Sequence, residues 1–230
     1  MPYSKSRSRE AFELNSKTKR KLALEASYKN RNIKYDHQQL IFQSTIFQLC
    51  ALMEDYFKSL IEDLIYNYKI RGAILNELPT EFRTAQLIAN QVGSYQSHLN
   101  QPNQSKILKK ICVSKPFYSL VDDSIAFTNQ IHPTTIINTN KYPSEKNIKK
   151  LFQRFGFEDI FKALHSKYHK DFQVQLKSFT DIRESIAHQT PPQLTYQDVK
   201  RSFRNMKEII DRLDRMIYKK IAETSSSKYW

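Results

Sequence analysis

Apolar residues recur along this chain mainly at intervals of three and four, the repeat of one face of an α-helix, rather than at the alternate positions of a strand. The clearest stripe is Leu49, Met53, Tyr56, Leu60, Leu64 and Tyr68, which predicts a helix over Asp36–Ile70 stopped by Gly72. Glu54, Asp55, Glu62 and Asp63 fall mainly on its other side. Near the end of the chain Val199, Phe203, Met206, Ile210, Leu213 and Ile217 repeat by four and three, a seam of about three heptads. Thr195 supplies its N-cap, with Asp198 three residues on in a near capping-box arrangement. The seam suits core packing or a dimer interface.

Between these two helices, Val174, Leu176, Phe179, Ile182 and Ile186 mark a further amphipathic helix. Gln189–Leu194 contains Pro191-Pro192 and joins it to the last helix as an antiparallel pair. Shorter helices are expected over Arg9–Lys29, Glu81–Leu99, Phe117–Phe127, Ser144–Phe155 and Glu158–Ser166, with Pro143-Ser144 as a start and Gly156 as a break. The Asn/Thr/Pro-rich stretch Thr128–Tyr142 reads as an exposed loop, with a brief strand at Ile136-Ile137. The chain has three glycines and a helical period throughout, so the expected fold class is all-α: a helical bundle with short helices inserted between the long early helix and the C-terminal pair. At 230 residues it reads as one domain over 11–223, flanked by a basic flexible segment at 1–10 and a frayed tail at 224–230.

Charge narrows the choice of partner. The formal net charge is +14 and the pI near 9.6, with basic clusters at Lys5–Arg9, Lys17–Lys21, Lys106–Lys110, Lys141–Lys150 and Lys219-Lys220. Nucleic acid is the most abundant anion for such a surface, and a solvated lysine-rich face without a ligand is the alternative. Two distant cysteines, Cys50 and Cys112, have no metal-ligand spacing and suit a reducing, cytoplasmic setting. No signal peptide or membrane span is expected from the apolar runs. A phosphate-cradling glycine loop, HExxH and a nucleophile elbow are all missing, which argues against P-loop, zincin and α/β-hydrolase chemistry.

The candidate chemistry lies in Arg183-Glu184-Ser185-Ile186-Ala187-His188, at the end of a predicted helix. A helix C-terminus favours a cation, and an arginine with a histidine can hold a phosphate and move protons without a metal or any cofactor. Arg183 would grip two phosphate oxygens with its planar fork, and His188 would act as base or acid. Glu184, one turn before His188, would orient the imidazole, or else form a surface salt bridge. The plain alternatives are an ion pair for Arg183 and a helix cap for His188. Residues five apart on a helix diverge by about 140°, so either His188 leaves the helical path or a second subunit completes the site.

An Arg and a His four to six residues apart, near the start of the final helix pair, resemble the motif of the HEPN superfamily, carried here by LKSFTDIRESIAH. Two other stretches, LCALMEDYFKSLIEDLI and PSEKNIKKLFQRFGFEDI, resemble the RiboL-PSP type of HEPN domain, and the resemblance covers about residues 40–220. It implies a metal-independent endoribonuclease that cleaves RNA by 2′-hydroxyl attack at a cleft shared by a homodimer, acting as a toxin or defence effector under an antitoxin or other regulatory protein. It also allows a non-catalytic module that binds RNA or protein. The family often has Asn or another small polar residue after the motif arginine, where this chain has Glu184.

Other patterns are weaker. Arg31 and His37, with five intervening residues, also fall within the motif's range of spacings but enter a helix rather than leave one. His165 and His169 share a helix face without a third metal ligand, and Asp122-Asp123 point to different faces. Tyr66, Tyr142 and Tyr168, beside basic residues, are candidates for base stacking.

Overall fold

The structure, a computed structural model, describes residues 2–27, 33–88, 124, 126–127, 131–137, 143–188 and 192–230. Among these residues the fold is all-α, as the periodicity predicts. Its elements are α1 (Arg7–Ser27), α2 (Tyr35–Ile70), α3 (residues 80–88), α4 (Pro133–Ile136), α5 (Glu145–Gln153), α6 (Ile160–Tyr168), α7 (Phe172–Ala187) and α8 (Tyr196–Thr224). Single 3-10 turns occupy Leu75–Glu77 and Ser227–Tyr229. No helix among the described residues is long and apolar enough to cross a membrane.

The long helices form where the stripes place them. All six stripe residues of α2 and all six seam residues of α8 are buried. Gly72, at φ +62°, ends α2 in a Schellman turn, with Ala73 N–H donating to Tyr68 O and Gly72 N–H to Lys69 O. Thr195 and Asp198 form the reciprocal capping box of α8, Asp198 N–H to Thr195 Oγ at 3.2 Å and Thr195 N–H to the Asp198 carboxylate at 2.9 Å. Ser144 caps α5, Asp159 α6 and Asp171 α7, each accepting from a backbone N–H in the first turn. α1 packs against α2 and α8, and α7 packs against the same two helices from another side, so α1, α2, α7 and α8 form the central bundle.

Several expectations are corrected. The first ten residues are no flexible extension, because α1 already begins at Arg7, and Ser6, Ser8 and Arg9 are buried. Their anchor is Asp214, fully buried on α8, which accepts from Tyr3 Oη at 2.6 Å, Ser6 Oγ at 2.5 Å, Ser6 N at 3.2 Å and Tyr56 Oη at 3.1 Å. Burial pushes the Asp214 carboxyl above its ordinary range, while these donors oppose the shift. Arg9 adds ion pairs to Asp211 at 2.5 Å and Glu13 at 3.1 Å.

Nor is the C-terminal tail frayed. Tyr229 is fully buried, and the Trp230 indole donates to Ser4 O at 2.8 Å, with Tyr3, Tyr218 and Trp230 stacked edge to face in sequence. The two aromatic residues bury surface that their polar neighbours conceal in the sequence.

The loop expected at Thr128–Tyr142 is described only over 131–137. There Ile131, Ile136 and Ile137 are buried, and α4 stands where a strand was expected. Pro133 opens that turn with its preset φ. The expected helix over Phe117–Phe127 does not reach its end: Ala126 bridges to Ile74, and Phe127 N–H donates to Ala73 O at 2.7 Å. α3 supplies the described part of the helix expected over Glu81–Leu99. Val174 is exposed at the start of α7, and Phe172 takes its place in the core.

Candidate functional site

α7 carries the motif, and the positions it buries explain how the motif is held. Phe172, Leu176, Phe179 and Ile186 are buried, spaced by four, three and seven. Ile182, three after Phe179 and four before Ile186, is partly buried and packs against the core, so it completes the stripe, and Arg183 lies next to it on the exposed flank of the helix. A permanent cation thus borders the seam that α7 presents to its neighbours.

That cation is received by α2. The Arg183 guanidinium lies over the Phe47 ring, 5.8 Å from its centroid, and hydrogen-bonds the Cys50 thiol. Phe47, Cys50 and Glu54 follow one another by three and four along α2, so one face of that helix lines the arginine. Burial pushes the Cys50 thiol up to about 11; Glu54 adds to the rise and Arg183 opposes it. Burial likewise holds the Glu54 carboxyl above its usual range, Arg183 working against the shift and Asp55 with it. Asp181 is engaged by Lys177 at 3.1 Å, leaving the exposed Arg183 head available to an anion from solvent.

His188 is the C-cap of α7, exposed, its N–H shared between Glu184 O at 3.2 Å and Ser185 O at 3.3 Å. Its φ of −90° stays close to helical, whereas its ψ of 171° is extended. The chain turns away only after the imidazole's root, which therefore departs from α7 about 140° round the axis from Arg183. Within one chain the helix carries the two side chains in divergent directions. Glu184 is exposed, and its contact with His188 runs through its backbone carbonyl.

The connection after the motif is pinned back to α2. The Gln39 amide donates to Leu194 O at 2.9 Å and accepts from Leu194 N–H at 2.8 Å. α2 thus holds both the arginine, through Phe47 to Glu54, and the exit of the loop, through Gln39. Periodicity marks these positions only indirectly: Phe47 is 37% exposed and lies off the buried stripe, which is the available signal for its role.

The other sequence candidates stay apart. His37 lies in the first turn of α2, and Arg31 falls outside the described residues. His165 and His169 are exposed, His169 ending α6 in the left-handed region at φ 52°. No group of three or more potential metal ligands occurs among the described residues. Tyr168 is occupied by Arg212, 4.5 Å over its ring, and by Phe172 edge on, whereas Tyr66 is 58% exposed. Asp122-Asp123, Tyr142 and Cys112 lie outside the described residues.

The RiboL-PSP-HEPN family model matches residues 12–219, nearly the whole bundle and the motif with it. The chain belongs to this family. No curated protein and no solved structure matches it.

Proposed function

We propose that this protein is a metal-independent endoribonuclease whose active centre pairs Arg183 of one chain with His188 of a second copy. The observation that carries the reading is the placement of Arg183: an exposed cation at the edge of the seam between α2 and α7, braced by Phe47 and Cys50. Such a site is useful for holding a phosphate. The reaction needs three things. A base takes the proton of the ribose 2′-hydroxyl, whose oxygen then attacks phosphorus; the phosphorane charge is met by cations; and an acid protonates the departing 5′-oxygen. The products are a 2′,3′-cyclic phosphate and a 5′-hydroxyl end. Arg183 supplies the charge and His188 the proton transfers, with Glu184 steering the imidazole.

The divergence of Arg183 and His188 on α7 argues for a homodimer. So does Phe47, 37% exposed, which places apolar surface on α2 beside the motif. In the cell, a toxin or defence role under a regulatory partner fits this activity.

The test is cleavage of a cellular RNA pool in excess EDTA beside His188→Ala. Cleavage that survives the chelator, leaves cyclic phosphate ends and vanishes in the variant supports the reading; an inert wild type sinks it. The second reading is a non-catalytic module of the same family that binds RNA or protein. The exposed Glu184 carboxylate favours it, since a negative charge between Arg183 and His188 repels phosphate.

A further inference from the structure

The seam between α1 and α8 holds an open groove of about 500 Å³, floored by Phe203 and Ser16, both buried. Its walls are two short ridges of cations: Lys17 and Arg20 on α1, Arg204 and Lys207 on α8, all four exposed. Each pair is spaced by three residues, about 4.5 Å along its helix, so the four head groups can follow a strand rather than a point charge. None of the four enters an ion pair with a described residue. At the other end of the groove stand Glu10, which is exposed, and Glu13, which is held by Lys5 at 2.7 Å and Arg9 at 3.1 Å and also feels the charge of Lys207. Lys200, one turn before Arg204, and Lys21, beside Arg20, are exposed and add positive charge nearby, whereas Arg201 turns toward α7 and pairs with Asp198 at 4.0 Å.

α1 and α7 each pack on both α2 and α8, so the α1–α8 seam lies across the bundle from the α2–α7 seam that carries Arg183. We infer that the α1–α8 groove is a second RNA-binding surface, gripping the phosphodiester backbone of a single strand away from the point of cleavage. The inference rests on the ribonuclease reading for its choice of polyanion. Phosphate contacts of this kind position a strand without reading its sequence. RNA long enough to span both seams is captured by the groove, and a dinucleotide meets the motif alone.

Two measurements test the groove. Affinity for a labelled, unstructured single-stranded RNA is measured against salt in the His188→Ala background, where no strand is cut. Its carrier is Lys17→Gln/Arg20→Gln/Arg204→Gln/Lys207→Gln, and its control is Lys58→Gln/Lys69→Gln/Lys146→Gln/Lys162→Gln, which removes as many charges elsewhere. Four lost phosphate contacts lower the slope of log affinity against log salt by about 3, and Kd rises by about tenfold or more at low salt. Circular dichroism and melting confirm that both variants fold. An unchanged Kd and slope, or an equal loss in the control, overturns the proposal.

The second measurement restores His188: the groove variant then keeps wild-type turnover on a dinucleoside phosphate and loses efficiency on the long strand. Equal losses on both substrates overturn the groove's separate role. The affinity measurement involves no cleavage, so a failure of the ribonuclease reading leaves it decisive.

Discussion

The guanidinium of Arg183 sits 5.8 Å above the ring of Phe47, on the exposed flank of α7 next to the core-packed Ile182. At this exposed position, replacing Arg183 by Leu should change stability by no more than about 1 kcal/mol, while cleavage falls at least ~100-fold. Thermal melting and RNA cleavage run on the same preparation check this. A large loss of stability would mean that the arginine serves the fold rather than the site.

If each active centre combines Arg183 of one chain with His188 of another, two dead variants should rescue each other. A mixture of Arg183→Ala and His188→Ala, denatured and refolded together, should recover about a quarter of wild-type activity. Half of its dimers are mixed, and each mixed dimer has one intact centre of two. Activity that stays at the level of the separate variants would place both residues in one chain's site.

The Asp214 network gives a stability prediction. Ser6→Ala removes a buried hydroxyl that donates to Asp214, and should cost about 1–3 kcal/mol in denaturant unfolding. Lys5→Ala, one residue away, loses only a partly exposed ion pair with Glu13 and should cost less than about 1 kcal/mol. Equal costs would show that the segment is held by something other than Asp214.

A pH dependence follows from the capping box of α8. The Thr195 hydroxyl and N–H both donate to the Asp198 carboxylate and hold it below the ordinary Asp range. A depressed carboxyl stabilises the fold above its unfolded value, about 3.9, and that contribution is lost as pH falls through the lower folded value. Asp198→Ala should cost about 1 kcal/mol at pH 7, and the gap to wild type should shrink below pH 4. A gap that stays constant down to pH 2.5 would remove the ionised cap from the account.

What could be read in the sequence was whatever its neighbours encode. α2 and α8 were legible from their stripes, the cap at Thr195 from its own tetrad, and the Arg183–His188 motif from its place before Pro191-Pro192. The N-terminal anchor was not, because Ser6 and Asp214 are 208 residues apart and polar residues carry no period. Asp214 follows Leu213 on the buried side of α8, where only its partners make a carboxylate tolerable. The role of Phe47 was hidden for a similar reason. Its exposure off the stripe reads as an ordinary surface apolar residue until α7 brings Arg183 over it.

The bond between Ser6 and Asp214, like that between Ser4 and Trp230, closes a loop of almost the whole chain. Such contacts raise contact order and slow folding, because the entropy of closure is spent before they form. During synthesis α1 emerges well before its partners on α8. A nascent chain already carrying Arg183 and His188 therefore still lacks the contacts that complete its bundle. For a protein whose proposed activity is to cut RNA, that delay keeps the unfinished chain from becoming a competent enzyme beside the ribosome that is making it.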